Sequence, residues 1–453
     1  MAPAFSAVTS GGKFALQCVF IAASFGIASP AYAALTLQLR VTTHTEGGAS
    51  APGASVDKIE EQQVFVGDHY FSVKTGTSLS IVDFVTRRRY AVDLATGRYV
   101  DYSLFDTVGF RVMEMQNRLG LSRALTAIDL ASPLSDVVYN EQSLSVLAGP
   151  GKKLETTLHG GEQVLAIDGK TLMRRRTTGT RIGTSDVARF VQFLRYTAGG
   201  HPLVLATLAG AGDIPAQFTF SYREAGSIQT RQYEILAVTM SAPASYDLTP
   251  YVQGSSAPDA VDQLLEKIAT LQPPTHAVMR DTMQHQAAHA FAEQRPLDAM
   301  LGATELALMT GAPVQPFSAG QTAQLRGDRL VQRVSAAIGA HGKEALTAAI
   351  PILQQARWRK TDKGYMLTLF EANDRQSLGQ LDAAKPMFVS VLAANPWLAG
   401  AWKDLGDLQF RQFDMAHAWR CWDAGRNMAP TLAIFASVNQ LEKNLVQQHP
   451  EYF

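Results

Sequence analysis

The chain has 453 residues, of which 46% are hydrophobic and 18% charged, a globular composition that fits neither whole-chain disorder nor a multi-span membrane protein. Its 40 basic residues meet 40 acidic ones, and without a basic excess it is not a general nucleic-acid or anionic-membrane binder. The length calls for two or three domains.

Residues 1–33 read as a targeting segment. Lys13 precedes the apolar run FALQCVFIAASFGIA, and SPAYA follows. A charged start, a short apolar stretch and small residues at Ala31 and Ala33 make a signal peptide with cleavage after Ala33. The expected location is periplasmic or secreted. Pro30 and the short run argue against an uncleaved anchor. Gln17 before Cys18, where a small residue is needed, argues against lipid attachment. The mature chain keeps 39 basic and 40 acidic residues and one cysteine, Cys421. One cysteine forms no internal disulfide, so burial alone must hold the fold. No later segment reaches ~18 unbroken apolar residues, so no transmembrane span is expected in the mature chain.

From residue 34 the sequence reads as strands. ALTLQLRVTT alternates polar and apolar residues, and EGGASAPGAS reads as a loop. The stretches VFVG, HYFSVKT, SLSIVDFV, RYAVDL and RYVDYSLF then alternate with period two, separated by turn signals about ten residues apart. That spacing predicts an antiparallel meander with one buried face. FRVMEMQNRLGL reads as an amphipathic helix. A second set of strands follows in KKLETTLH, EQVLAID and KTLMRRRTT, divided by Gly160-Gly161 and the tight-hairpin signal Asp168-Gly169. Next come a helix, SDVARFVQFLRYTAGG, and three more strands, HPLVLATL, AQFTFSYRE and IQTRQYEILAVTMS. The expectation is an α+β domain over 34–248: an antiparallel curved sheet or half-barrel with packed helices.

TPYVQGSSAPD, rich in Pro, Gly and Ser, sets a linker at 249–258. Beyond it the pattern is helical to the end. Val261, Leu264, Leu265 and Ile268 already recur at helical spacing. This predicts an all-α domain over 259–453.

Within that domain a period emerges. Pro396 and Pro430 lie 34 residues apart, as do Ala384 and Ala418, and Phe388 and Trp422. The later copy adds Trp402, Leu405 and Gly406 on a first helix. This pattern resembles the tetratricopeptide repeat (TPR). Small Gly406 and Ala418 would let two antiparallel helices approach, and proline ends the second because it has no backbone N–H. The units span about 365–396 and 399–430, with a capping helix at 431–448. The earlier copy departs from the pattern at Thr368 and Glu371, and Pro386 should bend its second helix. Gln409 replaces a usual aromatic in the later copy. In such repeats the first helices line a groove for peptides. The resemblance implies that Asn373, Lys403, Asp407 and Arg411 face that groove and bind a protein or peptide partner. Lys403, Asp407 and Arg411 are also four apart, so they can satisfy one another.

Other candidates read as structural. Asp281, His285 and His289 share one helical face and could hold a divalent ion, but a solvated face explains them. Cys421 falls between core positions of a repeat helix and reads as packing. The triplets Arg87–Arg89 and Arg174–Arg176 suit phosphate or a lipid head group, or charged turns and edges. Trp358, Trp397 and Trp419 are left free to line a surface. GPGKK and AGAGD lack the spacing of a phosphate loop. No catalytic residue, metal or cofactor is assigned, and the chain is read as not an enzyme. YFSVKTGTSLSIVDFVTRRRYAVDL, a meander with an inserted Asp, is similar to periplasmic lipoprotein-carrier (LolA/LolB-like) half-barrels. That likeness implies a lipid ligand. The leading expectation is an exported adaptor whose helices bind a partner. The alternative is a carrier of lipid or another apolar ligand, with the helices docking its acceptor.

Overall fold

The computed structural model describes residues 34–46, 56–128, 136–147, 149, 151–224, 227–311, 317–359 and 361–453. The signal segment lies outside the described residues. The chain forms a large curved antiparallel sheet followed by an all-helical part, an α+β architecture.

The strands are β1 (Ala34–Glu46), β2 (Val56–Val66), β3 (Tyr70–Thr75), β4 (Ser78–Asp83), β5 (Arg88–Asp93), β6 (Arg98–Ser103), β7 (Glu155–His159), β8 (Glu162–Ile167), β9 (Lys170–Arg176), β10 (Gly179–Arg181), β11 (Asp213–Pro215), β12 (Gln217–Glu224), β13 (Ser227–Ser241) and β14 (Val252–Gln253). Twelve of them make one sheet in the order β14-β6-β5-β4-β3-β2-β1-β13-β12-β9-β8-β7, and β10 and β11 form a separate ribbon. The alternation read from the sequence is the pleat. Leu35, Leu37, Leu39 and Val41 of β1 are buried, and the register sets them beside Val64 and Val66, then Phe71 and Val73. The intervening Gln38 and Arg40 face outward, where Arg40 meets Glu61 and Glu234, each at 3.2 Å.

Helices cover the apolar face. They are α1 (Leu104–Thr126), α2 (Val137–Leu144), α3 (Thr184–Thr197) and α4 (Pro202–Ala209). Phe190 and Phe193 of α3 pack edge-on or tilted against Phe218, Phe71 and one another. HPLVLATL, expected as a strand, is α4. Its apolar run carries no period that separates strand from helix. The decision lies at its start: Pro202 takes the first turn, where a missing N–H costs nothing, and His201 Nδ1 accepts the Leu203 N–H at 3.2 Å. RYVDYSLF ends as a strand at Ser103, whose hydroxyl accepts the Phe105 N–H at 3.3 Å and caps α1.

After β13, at the sheet's centre, residues 242–251 cross to the far edge over the sheet's other face. Tyr246 packs on Tyr70 and Tyr90 there, and its hydroxyl donates to Asp83 Oδ2 at 2.6 Å. The stretch read as a linker thus holds β14, which pairs parallel with β6.

The helical part runs α5 (Ala260–Thr270), α6 (His276–Ala292), α7 (Pro296–Thr310), α8 (Ala319–Gly327), α9 (Arg329–Ile338), α10 (Lys343–Arg357), α11 (Gly364–Ser377), α12 (Leu381–Ala394), α13 (Ala399–Arg411), α14 (Met415–Met428) and α15 (Ala436–Gln448). Helices α11 with α12 and α13 with α14 form antiparallel hairpins. Trp402, Leu405, Ala418 and Cys421 are fully buried and Trp422 nearly so. A Cβ on Gly406 would stand 2.4 Å from the Trp422 ring, so only glycine admits that approach. Pro386 lies inside α12, which continues to Ala394.

The two parts interlock. Trp419, left free by the sequence to line a surface, is buried, because the opposite face of α14 packs on α1. At the C-terminus Tyr452 is buried against α1 and α2, and its carbonyl accepts the Tyr196 hydroxyl at 2.7 Å.

Candidate functional site

The four groove residues lie along the seam between α11 and α13. Asn373 donates to Asp404 Oδ2 at 2.9 Å, and Arg411 donates to the Gln376 carbonyl at 2.6 Å, each bridging the two helices. Lys403 and Asp407 form an ion pair one turn apart on α13, and Asp407 also accepts the Trp422 indole N–H at 3.1 Å. Lys403 and Asp407 are therefore brought together directly, whereas Asn373 and Arg411 each engage the neighbouring helix instead. Arg411 is the most exposed of the four. Burial pushes the Asp404 carboxyl up to about 6 despite the Asn373 amide, which favours the charged form.

A second feature lies where the helices meet the sheet edge. A cavity of about 280 Å³ opens between β6, β14, α5 and α14. Leu265, Ile268, Trp397 and Met428 give it an apolar wall, and Arg88, Asp101, Arg420 and Asp423 a charged one. The charges are paired across the junction. Arg88 donates from Nε to Asp101 at 2.7 Å and from Nη1 to Asp423 at 2.6 Å. Arg420 pairs with Asp262 of α5. Arg98 reaches Glu266 at 3.0 Å, and Glu266 also accepts the Ser255 N–H at 2.7 Å. Gly254 sits between them at φ +142°, where a Cβ would stand 2.2 Å from the Arg98 guanidinium. This cleft can take an apolar side chain against a fixed charged wall. Its own charges already neutralise one another.

The arginine triplets divide between roles. Arg88 clamps the junction, and Arg89 pairs with Asp106 at 3.3 Å. Arg174 pairs with Glu162 at 3.3 Å and Arg175 with Asp213 at 3.2 Å. The sequence marked the triplets without showing their partners: Asp423 lies far along the chain, and no local signal connects it to Arg88.

The Asp281, His285 and His289 face, read as solvated, is exposed. Asp281, His285 and His289 line up on α6, with Arg280 3.7 Å from Asp281 and Glu293 3.5 Å from His289. Asp259, Asp262 and His417 also bring ligand-type atoms within 4.8 Å of one another. Each is already engaged within the fold: Asp259 Oδ1 accepts the Val261 and Asp262 N–H groups at 2.8 Å, Asp262 holds Arg420, and His417 bonds Asp414 through Nδ1 at 2.7 Å and lies 3.3 Å from Asp262 through Nε2. That cluster ties α5 to α14. The Cys421 thiol is fully buried, and burial pushes its pKa above the usual thiol range, which suits packing and not nucleophilic chemistry. Trp358 is 89% exposed, and Trp397 lines the cleft.

Among the described residues, no helix is long and apolar enough to cross a membrane. No family model and no curated protein matches the chain. Among solved structures it is similar to one described as lipid–protein interactions in lipovitellin, at 10% identity and a TM-score of 0.20, over 92% of this chain. The match spans 56% of that protein's length.

Proposed function

We propose that this chain is an exported, non-catalytic adaptor that holds a protein or peptide partner through its helical hairpins, with α11–α12 and α13–α14 as degenerate TPR units. The observation that carries this reading is the equivalence of residues 34 apart. Ala384 and Ala418 are both fully buried, and Phe388 and Trp422 fill matching positions one turn on. The back of α14 is taken by α1 and β6, which leaves the α11–α13 seam to meet a partner. Arg411 presents the exposed charge there, while Lys403 and Asp407 fix its surroundings.

The test keeps the chain whole. A photo-crosslinking residue in place of Gln412 should give a discrete protein adduct in cells. The double variant Lys403→Glu, Arg411→Glu should lose it while keeping its helical circular dichroism. Absence of an adduct, or an adduct indifferent to the double variant, overturns the seam as the binding site. Export is tested separately by sequencing the mature N-terminus, expected to begin at Ala34.

The alternative, a carrier of lipid or another apolar ligand in the curved sheet, has less support. Phe190, Phe193, Phe218 and Phe220, each at most 1% exposed, already fill the sheet's apolar face. Lipid copurifying in stoichiometric amount would favour it.

A further inference from the structure

The two edges of the large sheet are unlike. The edge at β14 is two residues long and abuts α5 and α14. Among the described residues, no strand pairs with the outer side of β7. All five of its residues, Glu155 to His159, are exposed, and Leu158 is 69% exposed. Natural edges are blunted by very short strands, by charged side chains (lysine above all), by proline, by bulges or by a covering element. The β7 strand is five residues long with one charged residue, Glu155; it has neither proline nor lysine, and its pairing with β8 runs without a bulge.

The register says which backbone groups are free. His159 and Glu162 flank a two-residue turn at Gly160-Gly161, with φ of +57° and +77°, and they face each other across the hairpin. In an antiparallel ladder closed by such a turn the flanking residues exchange both hydrogen bonds, and bonded pairs then alternate. His159, Thr157 and Glu155 therefore bond inward to β8. The N–H and C=O groups of Thr156 and Leu158 point outward, away from the sheet.

We infer that β7 is a self-association edge, and that its occupant is β7 of a second copy of this chain, paired antiparallel about Thr157. In that register Thr156 of one copy faces Leu158 of the other, so all four outward backbone groups on each strand find partners. Glu155 of one copy faces His159 of the other on both sides of the axis. These are close, non-hydrogen-bonded pairs, in which the carboxylate of one side chain can accept a hydrogen bond from the imidazole of the other. The strand is thus complementary to itself in backbone bonding and in this side-chain donor–acceptor pair. The pairing joins two twelve-stranded sheets into one.

Sedimentation equilibrium of the purified chain tests this. A monomer–dimer equilibrium in the micromolar range is expected, weak because an edge strand buries little surface. Thr156→Pro removes one outward donor and leaves the inward β7–β8 ladder intact. It should abolish the dimer with unchanged circular dichroism. Glu155→Lys disrupts both cross-strand pairs and should weaken the dimer by about thirtyfold or less. Adding His159→Glu to Glu155→Lys should restore it, which a loss of folding would not do. A wild-type chain that stays monomeric overturns the proposal. So does a dimer that survives Thr156→Pro, or a monomer that instead takes up an added strand-forming peptide at this edge.

Discussion

The indole of Trp419 occupies the space that a side chain on Gly109 would need. A Cβ at Gly109 would lie 2.6 Å from Trp419 Cη2, so α1 and α14 touch through a bare backbone. Trp419 cannot swing away: it is fully buried, and its Nε1 donates to Glu442 at 3.0 Å. Gly109→Ala gains about 1 kcal/mol of helix propensity but overpacks the crossing, at about 1–3 kcal/mol. With a rigid neighbour the second effect wins. The expected result is a melting temperature several degrees lower, followed by circular dichroism. An unchanged or higher value would mean that the helices separate freely.

Tyr452 fastens the C-terminus to the sheet-bearing part. Its hydroxyl lies 2.9 Å from the Ser145 carbonyl and 3.2 Å from that of Leu144, and Arg111 Nη1 donates to it at 3.0 Å. Tyr452→Phe keeps the ring and removes these bonds inside a buried site. A loss of about 1–2 kcal/mol is expected. Urea unfolding should show a lower midpoint with an unchanged slope, since the surface exposed on unfolding is the same.

How much of this was legible in the chain depends on the range of the signal. The β3–β6 meander was readable because its alternation is local and one face is buried: Phe71, Val73 and Val82 point inward. The packing of Trp402, Gly406, Ala418 and Trp422 was readable because both helices lie within one 34-residue period. The stretch from His201 to Leu208 misled because a short apolar run fits either element, and its capping histidine is not a common cap. The place of Trp419 is left open by the sequence because periodicity within one hairpin says nothing of a third helix on the other side. The Arg88–Asp423 clamp, the α1–α14 crossing and the buried Tyr452 all join segments hundreds of residues apart. They join the sheet-bearing part to the helical part, and no single window of sequence holds them.

Asp374 predicts a stability that rises as the pH falls. Its side chain is buried on α11 and its Oδ2 has no hydrogen-bond partner. Burial, with the charge of Glu371, pushes its pKa up to about 6 from 3.8. A raised carboxyl binds its proton more tightly in the folded state, so its charged form costs stability above about pH 6. That cost is relieved as the pH falls toward 3.8. Asp374→Asn should therefore stabilise the protein at pH 8, by at most about 3 kcal/mol for a shift of this size. The advantage should shrink as the pH falls from about 6 and vanish below about 3.8, where the carboxyl is protonated in both the folded and the unfolded chain. Thermal melts of both proteins across this range check it, and a pH-independent difference would contradict it.

The contact of α5 with α14 carries the opposite dependence at its histidine. Burial works against a charged His417, but its bond to Asp414 and the charges of Asp414, Asp259 and Asp262 outweigh that and hold its pKa above 6.5. Burial also opposes the charged forms of Asp262 and Asp414. Arg420 chiefly holds the first below 3.8, and His417 the second. A raised histidine contributes fully below its unfolded value of 6.5, and the contribution is lost as the pH rises through the folded value. The lowered carboxylates contribute fully above 3.8 and lose it as the pH falls through their folded values. The contact is therefore strongest between about pH 4 and 6.5. His417→Gln should cost stability at pH 6 and progressively less toward pH 9, as wild type loses its charge. Asp262→Asn should cost more, about 1.5–3 kcal/mol, because it removes the carboxylate that holds the partly buried Arg420 guanidinium. Urea midpoints measured at intervals of pH for wild type and both variants read this directly. If the His417→Gln deficit is as large at pH 9 as at pH 6, the imidazole contributes by packing and not by charge.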